Sequence, residues 1–420
     1  MKLSSIHISE PLKVLYMPNI LKSSLLVGII FSLVNLAYSK QDAPLLPDTG
    51  QTAQYDTNGK PLAVSESTLY TGQDASINSN PLRYQDNGDG TVTDLNTGLM
   101  WQKSHDTTKR NLADSVAVVE AMTLGGHEDW RLPTIKELYS LADFDGELMK
   151  PESGKESRPY IDTEYFEFQY DKRVPFAGAF WSSTVYNKGG VQNFTIHGGL
   201  EGGFGFNFAD GHIKSYETGK FVDGTVIQKS DNMFVPGNYV RAVRNTTTLY
   251  DMEYIDNQDG TVTDKSTNLM WAKSDSGKRM NWVEALEFAN NSTLAGYSDW
   301  RLPNAKELQS LVDYEKKDLP AINTKYFNVT LTQFKSQQDS YYFWTSTTQG
   351  DFKHTAVYIA FGQAWSKKNS DSTDYYDWHG AGAQRSDPKS GSPSEYELAS
   401  EMATDYISID NWVRLVRDAK

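Results

Sequence analysis

The hydrophobic and polar positions of this chain form one series of patterns that is written twice. In the first writing, polar Tyr84-Gln85-Asp86-Asn87-Gly88-Asp89-Gly90 leads into Thr91-Val92-Thr93, and Asn96-Thr97-Gly98 leads into apolar Leu99-Met100-Trp101. Asn, Asp and Gly tolerate positive φ, so these are turn signals, and the runs between them read as strands of a small antiparallel meander. Leu112, Val116, Val119 and Met122 then recur at helical spacing behind a capping Asn111, which predicts a helix over Asn111–Met122. Thr134 and Glu137 make a capping box, Pro133 sets the entry, and Ile135, Leu138 and Leu141 give the following helix one buried face. Phe180-Trp181-Ser182-Ser183-Thr184, Asn193-Phe194-Thr195-Ile196 and Gly205-Phe206-Asn207-Phe208 read as hairpin strands, turning at Asp210-Gly211. The closing strand Tyr239-Val240-Arg241-Ala242-Val243-Arg244 alternates, which predicts buried valines on one side and outward arginines on the other.

The second writing begins at Tyr254 and follows in the same order, with Trp271 standing 170 residues after Trp101. Asn281 heads the helix Trp282–Ala289, Asn304 and Glu307 repeat the capping device, and Trp412-Val413-Arg414-Leu415-Val416-Arg417 is the closing strand. A period this long, far above the roughly 20–50 residues of solenoid units, means two whole domains. The pattern predicts an α+β chain with domains at 81–245 and 251–418 and almost no linker between them.

Ahead of them, residues 40–80 are polar and scattered with Pro and Gly, which predicts a loosely ordered leader or wrap with a possible hairpin at Thr57-Asn58-Gly59. Lys22, the apolar run Leu25–Val34 and the small-x-small pattern Ala37-Tyr38-Ser39 read as a signal peptide over residues 1–39, with Met17 an alternative start. The run is shorter than the roughly 20 residues of a membrane span. Export to the periplasm, cell surface or medium is therefore expected, with no integral membrane segment after cleavage.

Charge and cysteine content narrow the function. Removing residues 1–39, with Lys2, Lys13, Lys22 and Glu10, takes the net charge from −14 to −16. Such a chain makes a poor general partner for nucleic acid or anionic membranes. It has no cysteine, which excludes disulfides, thiolate metal sites, cysteine nucleophiles and a lipoprotein anchor. The Asp/Gly-rich turns invite comparison with calcium loops, but an EF-hand-type loop would place Gln85 and Ile255 at the first ligand position, and Ile cannot ligate. The histidines are scattered, and His127 becomes Tyr297 in the second writing. No zinc spacing occurs, so neither a metal nor a cofactor is expected. Glu137 and Glu307 read as caps, and Asp129 and Asp299 as partners of the neighbouring Arg131 and Arg301, rather than as acid–base pairs. Trp101, Trp130 and Trp181 read as core, and Ser183 and Ser346 lack a nucleophile elbow.

The string D-N-G-D-G-T-V-T-D…T-G-L-M-W, then D-W-R-L-P-x-x-x-E-L, W-S-S-T and V-R-x-V-R resembles the Lcl C-terminal domain family, named for the collagen-like adhesin of Legionella. The resemblance covers nearly all of residues 81–418. It implies a distant relation to C-type-lectin-like and formylglycine-generating-enzyme domains, hence two tandem lectin-like domains, each with a short hairpin, two helices and a meander. It also implies an adhesin-like binding role. Sulfated glycans, the ligand class of the named adhesin, call for Lys and Arg clusters that an acidic chain does not supply in bulk. The Glu-Pro-Asn and Gln-Pro-Asp signatures of calcium-dependent lectins are absent, as are the cysteines a formylglycine-generating oxidase needs.

The second domain differs from the first by a long loop, about 366–404, with Asp374-Tyr375-Tyr376-Asp377-Trp378-His379 and Arg385-Ser386-Asp387 at its centre. In lectin-like folds such loops carry ligand contacts, by resemblance. Aromatic, cationic and acidic groups together suit a glycan or a protein partner. Tyr376, Trp378, His379, Arg385 and Asp387 are therefore the candidate ligand contacts, with no catalytic residue assigned. An enzyme using the same loop and a structural cell-surface spacer are the competing expectations.

Overall fold

The repeated meander folds as its turn signals require. A hairpin of β1 (Gln54–Tyr55) and β2 (Pro61–Leu62) precedes it, and β3 (Tyr84–Asp86), β4 (Thr91–Asp94) and β5 (Met100–Gln102) then pair antiparallel in sequence. Asp86 accepts from Gly88 N and Asp89 from Thr91 N, so each aspartate of the turn closes an Asx turn on its own backbone. Asp86 also meets Lys103, at 2.5 Å. The second writing gives the same three strands, β12 (Tyr254–Asp256), β13 (Thr261–Asp264) and β14 (Leu269–Ala272), with the same turn bonds at Asp256 and Asp259.

This computed structural model describes residues 45–419 apart from 64–68, 78, 150–152, 172–173, 175, 187–199, 222–236, 246–248, 335–336, 368–371, 393–394 and 396–404. The expected signal peptide and the Asn193–Ile196 strand lie outside the described residues. Between and beyond the meanders run β6 (Asp106–Arg110), α1 (Leu112–Glu120), α2 (Ile135–Ser140), β7 (Ala179–Tyr186), β8 (Leu200–Asn207), β9 (His212–Phe221), β10 (Asn238–Val240) and β11 (Val243–Arg244). The second half adds α3 (Trp282–Asn290), α4 (Ala305–Ser310), β15 (Thr332–Phe334), β16 (Gln337–Asp339), β17 (Tyr342–Thr348), β18 (Thr355–Ala360), β19 (Trp365–Lys367), β20 (Tyr375–Asp377), β21 (Gln384–Pro388) and β22 (Val416–Asp418). Strand outweighs helix, with four α-helices among the described residues, which agrees with α+β. All four helices start at the expected Asn or Thr caps, and three of them carry the full capping box.

The closing strands corrected the expectation about arginine. Arg241 and Arg414 are fully buried, not outward. Arg241 donates to the carbonyls of Gln102 (2.8 Å), Lys103 (2.6 Å) and Glu167 (2.6 Å), and Arg414 to those of Ala272 (2.9 Å), Lys273 (2.8 Å) and Asn328 (2.7 Å). The strands break at these residues, so period-2 alternation does not govern them, and the rigid fork of the guanidinium satisfies carbonyls that no strand reaches. Asp129 and Asp299 are likewise partnered by Arg244 and Arg417 across the fold, while Arg131 and Arg301 pair with Glu137 and Glu307.

Pro44–Lys420 form one compact unit. Its central sheet has eight strands in the order β17-β18-β21-β9-β8-β7-β10-β6, so strands of both repeats lie in one sheet. The helices α2 and α4 also meet at this seam, where Lys136 Nζ donates to Ser310 O and Lys306 Nζ to Ser140 O, each at 2.8 Å. Corresponding residues thus exchange the same bond, as at a two-fold interface.

The described part of the leader wraps onto both repeats and is not loosely ordered where it does so. The hairpin at Asn58-Gly59 is present, but residues 46–51 and 73–76 are built into the seam. Asp48 O accepts from Lys306, Thr49 O from Phe144 N, and the Gln51 amide exchanges two bonds with the Thr348 backbone. The buried carboxylate of Asp74 accepts from Thr49 and Thr347. Polar composition here reflects hydrogen bonding between buried partners, not solvent.

Candidate functional site

The segment expected as a loop at 366–404 contains two strands. β20 pairs with β19, and β21 pairs with β18 over five residues and touches β9 at Gln384–Ile213. β21 thereby lies between the strands of the two repeats. Its sequence Gln-Arg-Ser-Asp-Pro has little intrinsic strand preference, and what recruits it is two sheet edges that would otherwise be unpaired.

This placement divides the candidate residues. Tyr375 and Asp377 point inward from β20 and Tyr376 points outward, as strand alternation requires. Tyr375 packs edge-on to Phe334 and Tyr406. Asp377 is buried and accepts from Ala364 N, Gly380 N and the Tyr186 hydroxyl of the first repeat. Tyr376 is 39% exposed, and Trp378, two residues on, is half-buried.

The other three candidates turn into the protein. His379 is buried, with Nε2 2.9 Å from Asp405 Oδ1, and Arg385 forms an ion pair with the other oxygen of Asp405. Burial pushes Asp405 up, but Arg385 and His379 outweigh it and hold the carboxyl well below the usual range. Burial keeps His379 below its ordinary value, with Asp405 opposing. Asp387 is buried, accepts from Asn411 Nδ2 at 3.3 Å, and is pushed well above the usual carboxylate range by burial. Nearby, Asp210 lies 3.1 Å from His212 Nδ1 and 2.7 Å from Lys214 Nζ. Burial lowers the His212 pKa to about 4, so it is neutral at pH 7.

The arrangement resembles an acid–histidine pair, but Asp405 spends its oxygens on His379 and Arg385, and the only hydrogen-bond partner of the His379 ring among the described residues is that carboxylate. Among the described residues no group of three or more His, Cys, Asp or Glu is placed to hold a metal ion. No described helix is long and apolar enough to cross a membrane. Asp405, the residue that ties the site together, was missed by the sequence reading because nothing local marks a carboxylate 20 residues beyond its arginine.

The family model of the Lcl C-terminal domain matches residues 90–226 and again residues 260–379. No curated protein and no solved structure matches the chain. The two stretches together span more than half of the sequence and fall on the two repeats in register, so the chain belongs to the Lcl C-terminal domain family, in tandem, with the adhesin-like surface character that this family suggests.

Proposed function

We propose that this protein is an exported, non-catalytic recognition protein of lectin-like type, whose two domains span 81–245 and 251–418 and whose ligand is a glycan on a cell surface. The observation that carries the reading is exposed Tyr376 with half-buried Trp378 two residues on, held on a segment pinned by buried polar bonds at Asp377, His379, Arg385 and Asp387. Exposed aromatic faces on a rigid support offer sugar rings contact area at low entropic cost. Lys367, over the Tyr375 ring at 5.2 Å, adds a cation beside them. In this reading His379, Arg385 and Asp387 act as positioning residues and not as contacts.

The test is a glycan array probed with the purified chain and with Tyr376→Ala/Trp378→Ala. Wild type is expected to bind a restricted set of glycans, and the double variant to lose them with its melting temperature within about 2 °C of wild type, as partly exposed positions allow. Equal binding by both forms would remove this face as the site. Absence of binding by wild type would remove glycans and leave a protein ligand for the same face.

A further inference from the structure

The two-fold relation at the seam makes every leader contact a prediction about the other half. The leader is held by Lys306, Thr347, Asp143, Phe144 and Asp145, whose counterparts are Lys136, Thr184, Asp313, Tyr314 and Glu315. Those five counterparts all line one cleft of about 420 Å³, closed on its far side by Leu249–Met252. One half of the seam is therefore a groove filled by a peptide, and the other half presents the same groove as a cleft.

The filled groove states what the cleft recognises. Asp48 O accepts from Lys306 Nζ at 2.7 Å, and Thr49 O from Phe144 N at 2.8 Å. Gly50 has φ +81°, and a Cβ there would lie 2.7 Å from Asp143 Oδ1. Thr52 donates its N–H and hydroxyl to Asp145 at 2.9 and 2.7 Å. Thr347 accepts from Ala305 N and donates to the Asp74 carboxylate. In the cleft, among the described residues, Lys136 donates to Ser310 O but has no counterpart of Asp48 O, and the Tyr314 N–H has no counterpart of Thr49 O. Thr184 accepts from Ile135 N as Thr347 does from Ala305. Tyr250, which also lines the cleft, is the sequence counterpart of Asn80, whose carbonyl accepts from Asp48 N in the filled half. It is 5% exposed, and its hydroxyl has no hydrogen-bond partner.

We propose that this cleft binds an extended peptide segment of another protein with the leader's chemistry: two successive carbonyls for Lys136 and the Tyr314 N–H, then a glycine against Asp313, and a hydroxyl residue two positions later for Glu315. The surface is separate from Tyr376 and Trp378, and the inference does not depend on the glycan reading.

The probe is a fluorescent peptide Leu-Leu-Pro-Asp-Thr-Gly-Gln-Thr, the sequence of residues 45–52, titrated with the whole purified chain and followed by anisotropy. Saturable one-to-one binding is expected. Glu315→Ala, an exposed position, is expected to weaken it about tenfold, since one bond to a charged group is lost. A peptide with valine in place of the glycine should also bind about tenfold more weakly, by steric exclusion. Asp145→Ala, in the filled groove, should leave affinity unchanged. Binding that follows Asp145 instead of Glu315 would mean that the peptide displaces the leader, and the proposal fails. No binding at millimolar peptide also overturns it. Concentration-dependent dimerisation of the chain alone, lost in Glu315→Ala, would reassign the cleft to a second copy and overturn the choice of a separate partner.

Discussion

Asp74 is the clearest case of a single residue tuned by its position in the seam. Burial, reinforced by the charge of Asp48, raises its pKa from 3.8 to about 7, against the opposing bonds from Thr347 and Thr49. Its second oxygen has no hydrogen-bond partner. Because the folded pKa lies above the unfolded one, the folded state retains a proton that the unfolded chain releases between about pH 4 and pH 7. Ionisation therefore costs stability as pH rises through that window, and the cost is absent below about pH 4. Three pKa units correspond to about 4 kcal/mol at most. Asp74→Asn keeps an acceptor for the two threonines and removes the ionisation. Its melting temperature is expected to exceed that of wild type by several degrees at pH 8 and to match it near pH 4. A wild type more stable than the variant at pH 8 would show that the carboxylate is held charged.

At the scale of elements, β21 shows how one strand joins two repeats. Its Arg385 and the Asp405 that follows 20 residues later are both largely withdrawn from water, with 19% and 25% of their side chains exposed. Removing one partner of such a pair strands the other's charge. Arg385→Ala is expected to destabilise the chain by about 2–3 kcal/mol in urea titrations, and a cycle with Asp405→Ala to show a coupling of about 1–2 kcal/mol. Additive effects would mean that the pair is screened by water. The elements themselves were largely legible beforehand. Thr134, Asn281 and Asn304 announce their helices because a cap is a bond between residues three apart, and the Asp/Gly turns close on their own backbone. What sequence did not disclose was the fate of β21, since a polar Gln-Arg-Ser-Asp-Pro segment becomes a strand only when two distant edges flank it. Arg241 and Arg414 eluded it for the same reason: each braces carbonyls from segments far along the chain. Of the five candidate contacts, Tyr376 is exposed and Trp378 half-buried, whereas the partners that draw the three polar candidates inward, Asp405 and Asn411, lie too far along the chain for the sequence to announce them.

At the scale of the molecule, duplication produced a protein whose halves are not independent. Lys136 and Lys306 each leave their own repeat to reach a carbonyl of the other, and the Asp377 carboxylate is met by Tyr186 from the first repeat. The leader crosses the same boundary, with Gln51 bonded to both Phe144 and Thr348. Separating the halves would expose buried lysines, an unpaired edge at β9 and the apolar faces of α2 and α4, a set of losses that a small domain with a net stability of only about 5–15 kcal/mol does not absorb. The whole chain is therefore expected to unfold in one calorimetric transition, with van't Hoff and calorimetric enthalpies equal within about 10%. A polypeptide of residues 81–245 alone is expected to show no cooperative transition and to bind hydrophobic dye. Two resolved transitions, or a cooperatively folded 81–245 fragment, would mean that the seam is a docking contact between autonomous domains. In that case the cleft beside Lys136 would open and close with domain motion, whereas a single transition fixes its width and makes peptide affinity a property of the native state alone.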